Sequence, residues 1–447
     1  MAENNKSLTL LDSIIGKATA AGADAADAVF MESVSLSLAQ RLGKREHLAR
    51  SESADLGLRV FIGARQAIVS SSDSSVPVMD ELVERAVAMA RSVPEDPFCG
   101  LADPGQLAVD FPDLEVCDEQ EPDAETLSER AAEAEDAARA VPGVTNSEGA
   151  EASWGRSRIA IASTNGFSQS RSGSRHSLSV SVLAGEGTAM ERDYDYVTTV
   201  HGDDLPSPAD IGRSAGEKTV NRLNPQKASS ASVPVVYDPR VANSLVRHLA
   251  GAVNGTTVAR GTTFLKDKTG AQIFPAAITI VDDPLRPRGL GSKSFDGEGV
   301  GTKRLDIIEA GVLTSWIMDL RSARQLGLST TGHAGRGISS PPSPTTTNLY
   351  MQASDVTPGE LMSDIKAGLY VTEMMGFGVN TITGDYSRGA SGYWIENGEL
   401  AYPVNEVTIA GNLEHMFGHL SAADDLEFRY ATNAPTLRVE GMTVAGR

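Results

Sequence analysis

The sequence predicts an α+β fold: an N-terminal domain of helices on an antiparallel sheet, and a C-terminal, mainly antiparallel β domain that is barrel-like and carries a few helices. Two observations indicate this fold. Apolar residues alternate with serines in stretches such as "SVSLSLAQ" and "HSLSVSVLAG", which is the period of a half-buried strand, and helical spacing separates these stretches. In the second half, short strand-like segments joined by tight-turn signals follow one another closely.

A polar, proline-containing stretch separates the two parts. It reads "LNPQKASSASVP" and follows an expected helix near 207–222. We therefore place an N-terminal α/β domain at 1–224 and a C-terminal β-rich domain at 232–447. At 447 residues the chain is long enough for more than one domain.

The first expected element is a helix, because apolar residues recur three or four positions apart between Leu8 and Ala18. The stretches "SVSLSLAQ", "ADLGLRVFIG" and "RQAIVSSS" are expected strands, and the last two are expected to pair. Further helices are expected near 78–92 and 124–141. Asn165-Gly166 is the signal of a type I′ hairpin turn, in which both central residues need a positive φ.

The C-terminal part is expected to be rich in strands, among them "VPVVYD", "AAITIVDD", "GLYVTEM" and "SGYWIENGELAYPV". Asn397-Gly398 predicts a second hairpin turn, and Glu309-Ala310-Gly311 predicts a third. A Gly/Ser/Pro/Thr-rich loop over 332–348 is long for a compact domain, and such loops often carry function. The stretch "FDGEGVGTKR" at 295–304 is expected to be a flexible turn, because a strand rather than a phosphate-binding helix follows its glycines.

Charge and composition exclude several classes of protein. Acidic residues number 59 against 39 basic residues, which gives a formal net charge of −20. A phosphate backbone would repel such a surface, and no Lys/Arg stripe with interleaved aromatic residues overrides the charge. Cys99 and Cys117 form no disulfide framework, and no apolar run approaches the length of a membrane span. We expect a cytoplasmic protein that binds neither nucleic acid nor membranes.

Two histidines four residues apart, His415 and His419, have the spacing with which helices bind zinc. A helix at 413–420 would bury the face opposite to both histidines. A hydrolytic zinc helix also needs a Glu directly after its first His, and Met416 stands there. We therefore expect an exposed histidine pair. Ser391, in "RGASGYW", lacks the G-x-S-x-G pattern of a nucleophile elbow.

Three stretches of the C-terminal half carry a resemblance to a known family: "ARGTTFLKDKTGAQIF", "GRGISSPPSPTTTNLYM" and "YSRGASGYWIENGELAYPVNEVTIAGNL". Together they resemble the TldD/PmbA family of metalloproteases, in its PmbA (TldE) branch. The likeness runs through 232–447. It continues more weakly through the N-terminal domain, where "RSESADLGLRVFIGARQAIVSSSD" is typical.

The resemblance bears directly on metal binding. In the TldD branch a His-Glu-x-x-x-His helix supplies two zinc ligands and the catalytic Glu. Counting back from the shared "RGT" at 260–262, these places fall on Val246, Arg247 and Gly251. Val and Gly carry no ligand atom, and a guanidinium cannot act as a base. His248, alone on the same expected helix, is expected to be structural.

The resemblance implies a non-catalytic subunit of a cytoplasmic, TldD/TldE-like metalloprotease complex that processes or degrades peptides and unfolded small proteins. It implies no cofactor in this chain, zinc in a TldD-like paralogous partner, and a heterodimer with that partner or a homodimer in isolation. Two alternatives stay open: an autonomous hydrolase or metallopeptidase with an unrecognised site, and a peptide-binding, chaperone-like module. Whether the chain is itself an enzyme is left open with them.

A peptide substrate could add a strand to a sheet edge beside an enclosed chamber, with its backbone supplying the affinity. The glycine-rich segment 332–337 and the "PTTTN" stretch could then offer backbone and hydroxyl hydrogen bonds. The candidate polar groups of such a peptide cleft are Arg336, Asn348 and Arg388.

Overall fold

A computed structural model describes residues 2–446 of the chain. Its helices, with the short ones included, are α1 (Ala2–Ala20), α2 (Val76–Ser92), α3 (Ala124–Arg139), α4 (Pro208–Asn221), α5 (Pro239–Ala252), α6 (Gly255–Ala259), α7 (Leu320–Leu326), α8 (Pro358–Met362) and α9 (Leu413–Gly418). Within these residues no helix is long and apolar enough to cross a membrane.

One antiparallel sheet dominates the N-terminal part. Its strands are β1 (Ala25–Arg41), β2 (Lys44–Ile62), β3 (Arg65–Ser71), β4 (Val144–Ser163), β5 (Ser168–Ala184) and β6 (Glu191–Thr199). They lie in the order β3-β2-β1-β4-β5-β6, and β2 pairs with β3 as expected. The alternating apolar side chains face helices, because α1 and α2 cover one half of the sheet and α3 and α4 cover the other.

The C-terminal part is a barrel with an attached small sheet. Its strands are β7 (Ala231–Tyr237), β8 (Ile280–Asp282), β9 (Leu305–Glu309), β10 (Val312–Leu313), β11 (Ala334–Gly335), β12 (Ser343–Pro344), β13 (Leu349–Met351), β14 (Ala367–Val379), β15 (Asp385–Glu396), β16 (Glu399–Asn412), β17 (Leu420–Ala422), β18 (Thr432–Asn433) and β19 (Leu437–Ala445). Strand β16 pairs with both β15 and β19, which closes the order β16-β15-β14-β7-β19 into a five-stranded barrel. The predicted α+β class, with its barrel-like second half, is confirmed.

Two of the three predicted hairpin turns have the expected backbone conformation, and the third does not. Asn397 and Gly398 have φ values of 52° and 87°, and Ala310 and Gly311 have 48° and 82°, as type I′ turns require. Asn165-Gly166 also joins two antiparallel strands, but only Gly166 has a positive φ, so the predicted turn type is wrong there. The Asn165 side chain accepts the Phe167 N–H at 3.2 Å and donates to the Ala102 carbonyl at 2.9 Å, which holds the turn in another form.

The stretch 295–304 is not the flexible turn that we expected. Phe295, Asp296 and Glu298 are buried where the N-terminal sheet meets the C-terminal loops. The contact is close: a Cβ added to Gly57 of β2 would lie 2.3 Å from the carbonyl oxygen of Ile338. Glycine spacing alone did not reveal that a distant sheet covers this stretch.

Candidate functional site around helix α5

Helix α5 occupies the place where the resemblance puts the metal-binding helix. It begins after Asp238, whose side chain accepts the Arg240 N–H at 2.9 Å, and Pro239 takes the first helical position. Leu245, Val246 and Leu249 form its buried stripe against the barrel. The helix is therefore anchored by apolar packing along the face that carries Val246.

The residues at the three motif positions do not fit a zinc ion. Val246 is 1% exposed within the hydrophobic core, and a Cβ built on Gly251 would meet no atom within 4 Å. The Arg247 guanidinium donates to Asn243 Oδ1 at 2.6 Å. Across residues 2–446 no cluster of three His, Cys, Asp or Glu side chains has an arrangement that could hold a metal ion. Metal-free behaviour of the isolated chain stays a prediction.

His248 lies between the helix and the barrel wall. Its ring meets Tyr386 of β15 edge to face, with centroids 5.9 Å apart. Burial, together with the positive charges of Arg388 and Arg247, lowers the pKa of His248 to about 4. Its Nε2 is buried and has no hydrogen-bond partner among the described residues. The imidazole is consequently neutral near pH 7.

Arg388 is the one cleft candidate that lies beside α5. It sits on β15 two residues after Tyr386, and its Nε donates to the Met375 carbonyl at 3.2 Å. Met375 lies near the C-terminal end of β14, so Arg388 lies toward the turn end of the β14–β15 hairpin. The side chain remains partly exposed and can contact a ligand there.

Arg336 lies elsewhere, in a buried ion cluster that joins the two parts of the chain. Its side chain is 3% exposed and donates to Asp27 Oδ1 at 2.6 Å. The Arg59 Nε donates to the same carboxylate at 3.0 Å, and the Arg59 guanidinium lies 4.0 Å from Glu298. These opposite charges hold the pKa of Asp27 down at about 2 in spite of its burial. Arg336 thus fastens the 332–348 loop to β1 and β2.

Asn348 is 2% exposed and anchors the other end of the 332–348 loop. Its Oδ1 accepts the Gly291 N–H at 2.8 Å, while its Nδ2 donates to the Asp283 carbonyl and the Ser292 hydroxyl, each at 2.7 Å. The structure therefore does not bring the three cleft candidates together: two of them fasten a loop, and only Arg388 lies near α5.

Comparison with known proteins assigns the chain to a family. It matches three domain families, described as PmbA/TldA metallopeptidase domain 1, central domain and C-terminal domain, over 26–90, 117–223 and 230–446. It is also 38% identical to "Metalloprotease PmbA" of Escherichia coli O157:H7, over 95% of this chain and 93% of that protein. The chain belongs to the PmbA/TldD family.

Solved structures agree with this assignment at the level of fold. A Bacteroides thetaiotaomicron protein, described as a candidate modulator of DNA gyrase, superposes with a TM-score of 0.91 over 100% of both chains at 26% identity. TldE of Thermococcus kodakarensis superposes with a TM-score of 0.87 at 20% identity, covering 97% of this chain and 99% of its own. The PmbA/TldD fold thus spans the chain from end to end.

The other residues that the sequence singled out, His415, His419 and Ser391, are not part of helix α5. His415 and His419 stack with centroids 4.1 Å apart, and His419 Nδ1 lies 2.9 Å from the His415 carbonyl oxygen. Both are exposed, as expected. The helix ends at Gly418, so His419 is its capping residue rather than part of its last turn. Ser391 is 3% exposed inside β15, away from solvent.

The sequence reasoning missed the buried charges of this PmbA/TldD chain. Burial raises the pKa of Glu298 to about 8, and burial together with the charge of Arg171 lowers the pKa of Lys293 to about 8. Lys293 and Glu298 flank "SFDG", a stretch that reads as an ordinary loop. The only sequence signal of this site was a lysine and a glutamate on either side of the stretch. Their pKa shifts depend on the burial of both side chains and on Arg59 and Arg171, which are distant in sequence.

Proposed function

We propose that this chain is a non-catalytic subunit of a cytoplasmic metalloprotease complex. In it, a TldD-type paralogue carries the zinc, and this chain helps to bind the peptides and unfolded small proteins that the complex processes. The observation that carries the proposal is the composition of α5. Val246 is packed in the core, Gly251 has no side chain, and Arg247 adds a positive charge where a cation would have to sit.

Neither His248 of α5 nor the two cysteines of the chain replace a metal. Peptide hydrolysis at neutral pH needs an activated water and a stabilised oxyanion. His248, with a pKa of about 4, is too weak a base to activate water efficiently near pH 7. Burial raises the pKa of the Cys99 and Cys117 thiols, and the charges of Asp96 and Glu119 add to this, so neither is a ready thiolate nucleophile.

An exposed apolar hairpin tip supports association with a partner. Phe377, near the end of β14, is 98% exposed, and Met375 on the same strand and Ile382 in the turn that follows are 49% and 57% exposed. Such side chains grouped on one projection favour burial against another protein. Arg388 is bonded to the Met375 carbonyl of this hairpin and lies close enough to His248 to lower its pKa, so a partner bound at the tip would lie near the α5 side of the barrel.

Co-purification tests the proposal. The chain is co-expressed with the zinc-bearing paralogue, and the complex is analysed by light scattering and for metal content. We expect a heterodimer that contains zinc on the paralogue, and a zinc-free chain when this protein is purified alone without an affinity tag. Tightly held zinc in the isolated chain, lost in a His415→Ala/His419→Ala variant, would instead favour an autonomous metallopeptidase.

The hairpin supplies a matched pair of variants. Phe377→Ser is expected to weaken the heterodimer by at least tenfold, because it removes an aromatic anchor. Val109→Ser is the control, since Val109 is 91% exposed but lies in another part of the chain. A heterodimer equally stable in both variants would show that the partner binds elsewhere. A chain that binds unfolded peptide but never binds the paralogue would favour the chaperone-like alternative.

A further inference from the structure

A cavity of about 450 Å³ lies between the two halves of the molecule, away from α5. One wall is the edge of β5 at 169–172, the second is the segment 111–119, and the third is the stretch 292–295. The Ser174 N–H donates to the Val116 carbonyl at 3.0 Å, so the segment 111–119 is fastened along the strand edge. The walls are held by backbone contacts and do not depend on a ligand.

Two cationic side chains that form no ion pair within residues 2–446 line this cavity. Lys293 is 8% exposed, and its ammonium makes neither a hydrogen bond nor an ion pair with any part of the chain that the structure describes. Arg171 stands across from it on β5, with its guanidinium carbon 5.8 Å from the ring centre of Phe295. The Arg171 Nε is buried and unbonded within residues 2–446. Burial lowers the pKa of both side chains.

The nearest buried carboxylates are already engaged by other donors. Asp296 accepts the backbone N–H groups of Glu298, Val300 and Ala334 at 2.8, 3.0 and 3.0 Å. Asp282 binds the hydroxyl and N–H of Thr347. Neither reaches Lys293 or Arg171 at ion-pair distance, although Asp296 acts on both cations through space and Asp282 acts on Lys293. Since cations removed from water without an ion pair are costly, a buried lysine and a half-buried arginine in one cavity indicate a site for an anion.

The other lining groups narrow the class of anion. Ser170, Ser292 and Ser294 bring hydroxyl groups to the cavity, while Phe111 and Phe295 bring aromatic surface. The segment 111–119 also contributes acidic side chains, namely Asp113, Glu115 and Glu119. These negative charges disfavour a dianion such as phosphate more than a single carboxylate, and the aromatic rings suit an apolar group attached to it.

We propose that this cavity binds a carboxylate carried on an apolar body, with Lys293 and Arg171 as its cationic contacts. A small aromatic acid and the C-terminal carboxylate of a peptide present the same chemistry. The inference does not rest on the non-catalytic role proposed above, because binding here requires neither zinc nor a partner. Aromatic surface around a paired cationic site resembles the general design of ligand pockets, which combine an apolar lining with a few polar anchors.

Calorimetric titration of the full-length chain tests the proposal with four probes: N-acetylphenylalanine, its amide, N-acetyl-Gly-Gly-Phe and inorganic phosphate. We expect both acids to bind and the amide to bind at least tenfold more weakly. Tighter binding of the tripeptide would identify a peptide terminus as the source, and equal binding would identify a free small acid. Equal affinity for acid and amide, tighter binding of phosphate, or no binding of either acid would overturn the proposal.

Variants locate the site. Lys293→Met is expected to weaken binding of the acid at least tenfold, while Lys303→Met, at an exposed lysine, leaves it unchanged. Without ligand, Lys293→Met should unfold at the same temperature as the parent protein or higher, because it removes a buried charge without a partner. If Lys293→Met fails to fold, Lys293→Arg takes its place, and it should retain binding within threefold. Full binding by folded Lys293→Met, or none by folded Lys293→Arg, would contradict the assignment.

Discussion

The surroundings of α5 and the joint between the two halves of the chain bury ionisable residues in opposite ways. Around the motif positions of α5 the half-buried titratable group, His248, is neutral, and its neighbours Arg247 and Arg388 are exposed and partly exposed. At the joint, Asp27 and Arg59 are fully buried as ions and bound to each other. The same chain therefore tolerates buried charge in one place and avoids it in the other.

The two regions differ because a metal-binding helix and a joint between two parts of a chain have different requirements. A metal helix needs ligands that it can present to an ion, and α5 instead packs an apolar side chain at the first ligand position. The joint needs a fixed geometry between a sheet and a long loop, and two arginines that share one carboxylate provide it. Charge in this PmbA/TldD chain has a structural use at the joint, while α5 contributes Val246, at the first of the motif positions, to the hydrophobic core.

The largest effect is expected from breaking the joint. Asp27→Ala leaves Arg59 and Arg336 buried together, and we expect it to lower the free energy of unfolding by about 3–5 kcal/mol at pH 7. Because the folded-state pKa of Asp27 is about 2, below its ordinary value, its contribution is complete above that ordinary value and is lost only as the pH falls toward 2. Urea unfolding measures the change. Glu52→Ala, in an exposed pair with Arg50, is the control and should cost under about 1 kcal/mol.

A second test converts α5 back toward a metal helix. The triple variant Val246→His/Arg247→Glu/Gly251→His puts a polar ring into the core, and we expect about 2–3 kcal/mol of lost stability. It should gain no stoichiometric zinc, because a third ligand and an outer shell are also required. Metal analysis and thermal unfolding with and without zinc decide the matter, with Arg247→Glu alone as control. Zinc that raises the unfolding temperature of the triple variant would show that the rest of a site persists.

A third test concerns Glu298, whose folded-state pKa of about 8 lies above its ordinary value. The folded protein therefore binds more protons than the unfolded chain between these two values, and the contribution of Glu298 to stability falls as the pH rises from 5 to 8. Glu298→Gln should remove this decline and stabilise the protein at pH 8 by about 1–2 kcal/mol. Unfolding curves at pH 5 and pH 8 test it, and a steeper decline in the variant would refute the assignment.

The smallest effect is expected at the histidine pair. Since His415 and His419 are exposed and stacked only on each other, His415→Ala/His419→Ala should change the free energy of unfolding by less than about 0.5 kcal/mol. It should not alter the cleavage activity of the complex either. A loss of activity in the doubly substituted chain would mean that the pair contributes to the shared active site.

Much of the fold followed from local pattern. Period-two alternation with serine identified the strands of the large sheet, and Asn397-Gly398 identified a turn in which both residues have the expected positive φ. The type of the Asn165-Gly166 turn was mispredicted because the Asn165 side chain forms hydrogen bonds with Ala102 and Phe167, which favour a different backbone conformation. The burial of residues 295–300 escaped prediction because what covers them, including Arg59, comes from a remote part of the chain.

Some features of the candidate site could likewise be predicted from the sequence, and others could not. The absence of ligands at Val246, Arg247 and Gly251 could be read from residue types once the motif was placed. The environment of His248 could not, since it depends on Tyr386 and Arg388 being brought beside α5 by the barrel. Arg336 and Asn348 looked like cleft residues because they are polar and lie in a glycine-rich loop. Their partners, Asp27 and Gly291, became visible only in three dimensions.

The most direct measurement of the central claim compares three samples on one unstructured peptide: this chain, its zinc-bearing paralogue, and the mixture, each with and without a chelator. A zinc peptidase obtains both its nucleophile and its oxyanion stabilisation from the metal, and α5 offers no ligand for one at the motif positions 246, 247 and 251. We predict no cleavage by this chain alone, cleavage by the mixture, and loss of that cleavage with chelator. Chelator-insensitive cleavage by this chain alone, or activity of the paralogue that is indifferent to its presence, would contradict the account.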